Sequence, residues 1–121
     1  MDNIYCLLSN SFNKKNIKKK ELMLNLIKKQ GNMNIILWID NIIDLIKYCN
    51  RKSNNIKFIC IYNFTDLDKD IVKILRIVND IVDKDIGIFV ARYNSFIDKN
   101  SSYEVIFQYQ INALFETREE E

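Results

Sequence analysis

The chain contains no histidine and no proline, and its 121 residues include two glycines, Gly31 and Gly87. Without histidine, a His-based catalytic dyad or triad is excluded, and the commonest protein ligand for a transition metal is missing. Two isolated glycines cannot build the glycine-rich loops that cradle phosphates. The three cysteines, Cys6, Cys49 and Cys60, have neither CxxC nor metal-ligand spacing. They sit in apolar runs, where a thiol behaves as a small hydrophobe, and point to a reducing intracellular compartment such as the cytoplasm or mitochondrial matrix. No apolar run approaches the roughly 20 residues of a spanning helix, and no leader pattern opens the chain, so no membrane partner is expected.

What is abundant is isoleucine, asparagine and lysine, at 21, 16 and 14 residues. All three have A- and T-rich codons, which suggests a low-GC genome, organellar, viral or otherwise. Lysine outnumbers arginine 14 to 4, so many lysines reflect codon supply. The formal charge is +2, too small for a global field directed at nucleic acid. The length predicts a single domain, with Glu116 to Glu121 as a charged tail.

Hydrophobic periodicity predicts the elements. Residues 3–9, 34–39, 56–63 and 86–93 are short apolar runs of the kind buried on both faces of a parallel sheet. Residues 14–30 predict a helix ending at Gly31. Asp40 is the expected cap of a helix over 41–51, and Thr65 of a helix over 66–84. Between Tyr103 and Ile111 apolar and polar residues mostly alternate, which predicts a final edge strand in antiparallel pairing. The expected architecture is α/β, three-layered, flavodoxin-like in outline and mainly parallel, in the order β-α-β-α-β-α-β-β.

Three groups of residues are candidates for function. Ser9, Asp40, Asn63, Asp66 and Asn94 fall at the carboxyl ends of strands, where open α/β sheets bind ligands. The same residue types are what helix caps and turns require, so capping competes with a polar pocket or a Mg²⁺ site on Asp40 and Asp66. A receiver-like phosphoacceptor would need an acidic pair after the first strand and a later strand-end lysine, and both are missing. Lys14, Lys15, Lys18, Lys19, Lys28 and Lys29 gather on one half of the first helix, where they would meet a phosphate backbone such as that of RNA. Glu104, Gln108 and Gln110 would line the outer face of the final strand and receive a partner strand.

No catalytic residue, resident metal or cofactor is assigned, and the composition leans away from an enzyme. The expected function is a non-catalytic subunit or interaction module of a larger assembly, such as a ribosomal or other ribonucleoprotein component with protein partners. Two alternatives stand beside it. One is a small Mg²⁺-dependent phosphate-handling or phosphoacceptor domain using strand-end aspartates. The other is a viral or bacterial inhibitor docking on a host protein by its edge strand.

Overall fold

The computed structural model describes residues 4–8, 21, 24–25, 28–29, 35–39, 41–50 and 56–119. Five strands form one sheet: β1 (Ile4–Leu8), β2 (Ile35–Ile39), β3 (Ile56–Ile61), β4 (Gly87–Val90) and β5 (Ser95–Ile97). Their spatial order is β2-β1-β3-β4-β5. The first four are parallel and β5 runs antiparallel to β4. The helices are α1 (Ile42–Cys49), α2 (Ile71–Asp83) and α3 (Tyr103–Glu119). In the segment between β1 and β2, Glu21, Leu24, Asn25, Lys28 and Lys29 are helical.

The apolar runs become strands because both faces of the sheet centre are covered. All of β4 is buried, as is β3 apart from Lys57. The amphipathic helices add Leu45 and Cys49 from α1, Ile74, Val78 and Ile81 from α2, and Tyr109 and Ala113 from α3 to one core. Ile46 and Cys49 of α1 face Ile77 and Ile81 of α2 across a shallow groove, and α3 packs on α2. A third layer would need the segment 14–30 on the opposite face, and most of it lies outside the described residues. All three thiols are buried. Burial, with Cys49 nearby, pushes Cys6 up to about 12, and burial pushes Cys49 up to about 11 and Cys60 higher still.

Several boundaries differ from expectation, each for a local reason. Asn41, not Asp40, caps α1 and accepts from Asp44 N at 2.9 Å. Asp70, not Thr65, caps α2 and accepts from Val72 N at 2.9 Å. Phe64–Asp66 instead form a short 3₁₀ turn after β3. β4 ends at Val90, and a second 3₁₀ turn, Ala91–Tyr93, leads to Asn94, whose left-handed backbone (φ 48°) turns the chain into β5. Asn94 is therefore an exposed turn residue, a conformation asparagine tolerates.

The largest correction concerns residues 103–111. They form the first half of α3, so Glu104, Gln108 and Gln110 lie on a helix and cannot add a partner strand. The antiparallel edge strand exists, but it is Ser95–Ile97. Ser102 starts α3 by accepting from Val105 N at its hydroxyl (3.3 Å) and from Ile106 N at its carbonyl (3.0 Å). The alternating pattern misleads because α3 carries apolar groups on two sides. Tyr109 and Ala113 enter the core, while Tyr103, Phe107 and Phe115 are exposed.

Gly87 opens β4 beneath an aromatic ring. A Cβ there would collide with Cζ of Phe96 and stand 2.9 Å from its Cε2. That ring packs edge-on against Phe58, with centroids 5.6 Å apart. Gly87→Ala is expected to displace the ring and cost about 1 kcal/mol, toward the low end for overpacking because Phe96 is 42% exposed and can swing outward. Urea midpoints should show this loss, and it should shrink when Phe96→Ala is already present.

Candidate functional site

The strand order changes direction between β1 and β3. From β1 the chain first builds outward to β2, then returns to the other side for β3, β4 and β5. Such a switch leaves a crevice at the carboxyl ends of the two diverging strands. Here β1 ends at Leu8 and β3 at Ile61, with Leu7 paired to Cys60, so both strands stop at the same level. In sequence, Ser9 follows one strand and Tyr62-Asn63 the other.

The loop after β3 is tied down by carboxylates. Asp66 Oδ2 accepts from the backbone N of Tyr62 (3.1 Å) and of Asn63 (2.9 Å), which closes the 3₁₀ turn on itself. Asp66 thus acts as a turn cap, as the competing reading of the sequence held. Among the described residues no group of three or more His, Cys, Asp or Glu is placed to hold a metal. Asp40 and Ser9 lie outside the described residues.

A second carboxylate, absent from the sequence expectations, organises the site. Glu116 opens the segment expected to be a charged tail, yet it is only 2% exposed. Its Oε1 accepts from Thr65 N (3.1 Å) and Thr65 Oγ1 (3.2 Å), and its Oε2 accepts from Tyr93 Oη at 2.6 Å. One side chain therefore fastens the loops after β3 and β4 to α3. Burial, followed by the hydrogen bond to Glu116, raises the Tyr93 phenol pKa, so the hydroxyl stays protonated as a donor. Phe64 fills the space below, stacked on Tyr93 (5.9 Å) and tilted against Tyr109 (5.6 Å). A glutamate seven residues after Tyr109 and three after Ala113 shares their helix face, and that spacing was the available signal.

Arg92 lies in the 3₁₀ turn after β4. Its backbone N donates to the Tyr62 carbonyl at 3.1 Å, which stitches the β4 loop to the end of β3. Its guanidinium lies 5.4 Å from the centroid of the Tyr93 ring. Nη1 donates to Asn63 Oδ1 at 3.3 Å, and Nη2 lies 3.5 Å from Glu119 Oε2. The structure thus gathers Asn63 and Asp66 of the sequence-predicted pocket and adds Thr65, Arg92, Tyr93, Glu116 and Glu119. Of the lysine group, Lys28 and Lys29 are helical and exposed, while Lys14, Lys15, Lys18 and Lys19 lie outside the described residues.

No protein-family model and no curated protein matches this sequence. Among solved structures, the fold resembles the crystal structure of the N-terminal catalytic domain of TP901-1 integrase. The TM-score is 0.57 at 14% sequence identity, and the superposition covers 98% of this chain and 95% of that chain. No described helix is long and apolar enough to cross a membrane. The likeness overturns the expectation of a non-catalytic ribonucleoprotein or ribosomal subunit, because the fold matched end to end is that of a catalytic domain; what this chain has in common with integrases is a resolvase/integrase-type α/β fold.

Proposed function

We propose that this chain is a recombinase-like domain that cuts DNA by transesterification at the β1/β3 switch, with the Ser9 hydroxyl as nucleophile. The observation that carries this reading is the near-complete overlap with an integrase catalytic domain. The described residues at the ends of β3 and β4 are engaged elsewhere. Thr65 donates its hydroxyl to Glu116, Tyr93 donates to the same carboxylate, and Asp66 is occupied by two backbone N–H groups. In sequence, Ser9 follows the last residue of β1 directly, and open α/β sheets bind ligands beyond the carboxyl ends of such strands.

In the proposed step the Ser9 oxygen attacks a DNA phosphorus and the bond to one deoxyribose oxygen breaks. The serine proton leaves, and the departing oxygen takes up a proton. One phosphodiester replaces another, so the step needs no external energy source. Histidine being absent, the proton passes to another kind of group, such as a carboxylate, a lysine or tyrosine side chain, a phosphate oxygen or water. Of the functions weighed from the sequence, the phosphate-handling alternative comes nearer to this reading than the ribonucleoprotein subunit does, although it placed the chemistry on Mg²⁺ and strand-end aspartates rather than on a serine hydroxyl. Lys28 and Lys29 supply charge for backbone contacts.

The test uses the full chain and supercoiled plasmid DNA, which offers many sequences under strain. The expected result is nicked or linear product and a denaturation-resistant protein–DNA adduct, which peptide mass spectrometry maps to Ser9. Ser9→Ala should abolish both. Changing Lys28 and Lys29 to alanine should reduce the slope of log affinity against log salt by about 2. A chain that forms no adduct and binds duplex DNA at no salt concentration would overturn the reading.

A further inference from the structure

We infer that Arg92, steadied by the Asn63 amide oxygen, is a seat for a DNA phosphate that Glu119 occupies when DNA is absent; this rests on the DNA-processing reading above. The placement of Arg92 is the first reason. Its backbone belongs to the loop after β4, but its side chain reaches across to the loop after β3, one of the two strands that diverge at the switch. A planar guanidinium presents paired N–H donors that match a phosphate oxygen pair. Here those donors are divided between a neutral amide oxygen at 3.3 Å and a carboxylate at 3.5 Å, both long contacts.

The weakness of the Glu119 contact is the second reason. The Arg92 and Glu119 side chains are 35% and 61% exposed, and an ion pair that open to water contributes little to stability. Glu119 also lies in the last turn of α3, where the partial negative charge of the helix end disfavours a carboxylate. The neighbouring carboxylates behave differently. Glu116 is buried with three donors, and Asp66 holds two backbone N–H groups. Glu119 is thus the acid that an incoming phosphate can displace without dismantling the loops.

The experiment measures binding of a fluorescein-labelled DNA duplex by anisotropy across a salt series, for the full chain and its variants. Glu119→Gln should bind about two- to fivefold tighter at low salt, the factor for releasing an exposed ion pair. Arg92→Ala should bind more weakly, with a salt slope smaller by about one. In the Arg92→Ala background, Glu119→Gln should have no effect. Because the first variant gains affinity, misfolding cannot mimic it, and thermal melts control for the second. Equal tightening by Glu119→Gln in both backgrounds would mean a general charge effect and overturn the seat. So would an unchanged slope in Arg92→Ala, and either result would leave Ser9 cleavage standing. Wild-type chain that binds duplex at no salt concentration would overturn the parent reading as well.

Discussion

Replacing Glu116 by alanine is expected to lower the melting temperature by about 12 °C. The substitution removes three hydrogen bonds and leaves Thr65 N–H, Thr65 Oγ1 and Tyr93 Oη facing an emptied site. Orphaning donors in a poorly solvated place costs about 1 kcal/mol or more each, or roughly 3 kcal/mol together. With an unfolding entropy of about 2 cal/mol/K per residue, a chain of 121 residues converts that loss into the stated shift. Glu116→Gln retains an oxygen for Thr65 and is expected to lose about half as much. The same network predicts an alkaline limit. Burial and Glu116 raise the folded Tyr93 pKa above its ordinary value of 10.0. The contribution of the protonated phenol is fully present below pH 10 and is lost as pH rises toward and through the folded value. Tyr93→Phe should flatten that part of the stability–pH curve, as measured by urea midpoints from neutral pH upward. An unchanged melt for Glu116→Ala would mean that the carboxylate does not hold the loops.

Phe64→Ala should cost more, about 4 kcal/mol. Phe64 is 1% exposed and lies between Tyr93 and Tyr109, with ring centroids 5.9 and 5.6 Å away. Truncation opens a cavity between the 3₁₀ turn and α3, which cannot collapse while Glu116 holds Thr65 in place. Phe64→Leu, which keeps most of the volume, should cost about 1 kcal/mol. Phe64 and Glu116 both contact Tyr93, so the Phe64→Ala, Glu116→Ala double variant should lose less than the two single losses together. Chemical denaturation of the four proteins measures this coupling, and strict additivity would show that ring stack and carboxylate act independently. Asn63 adjoins Phe64 in the chain, so the Phe64→Ala variant should also weaken duplex binding where it remains folded.

The sheet was legible in the residues because burial on two faces demands uninterrupted apolar runs, and Phe58–Ile61 and Gly87–Val90 meet that demand. The long amphipathic helix was legible from Ile71 onward, where apolar residues recur at helical spacing. The segment 103–111 was not, since a helix with apolar groups on both its core face and its open face mimics a strand in period two. Ser101 and Glu104, spaced as in a capping box, were the local signal for a helix start nearby. At the strand ends, Asp66 was visible as either cap or ligand. The choice depended on where its carboxylate points, and two backbone N–H groups claim it.

The sequence by itself determined the class of the fold and excluded histidine chemistry, because composition and periodicity are properties of the chain alone. It also placed polar residues after β1 and β3. Tertiary structure decided what those residues meet. Glu116 is separated by 51 positions from the Thr65 it anchors, and Arg92 by 29 from the Asn63 it contacts. Contacts at that range leave no periodic trace, and they form only when the return of α3 over the strand ends brings charge to the loops.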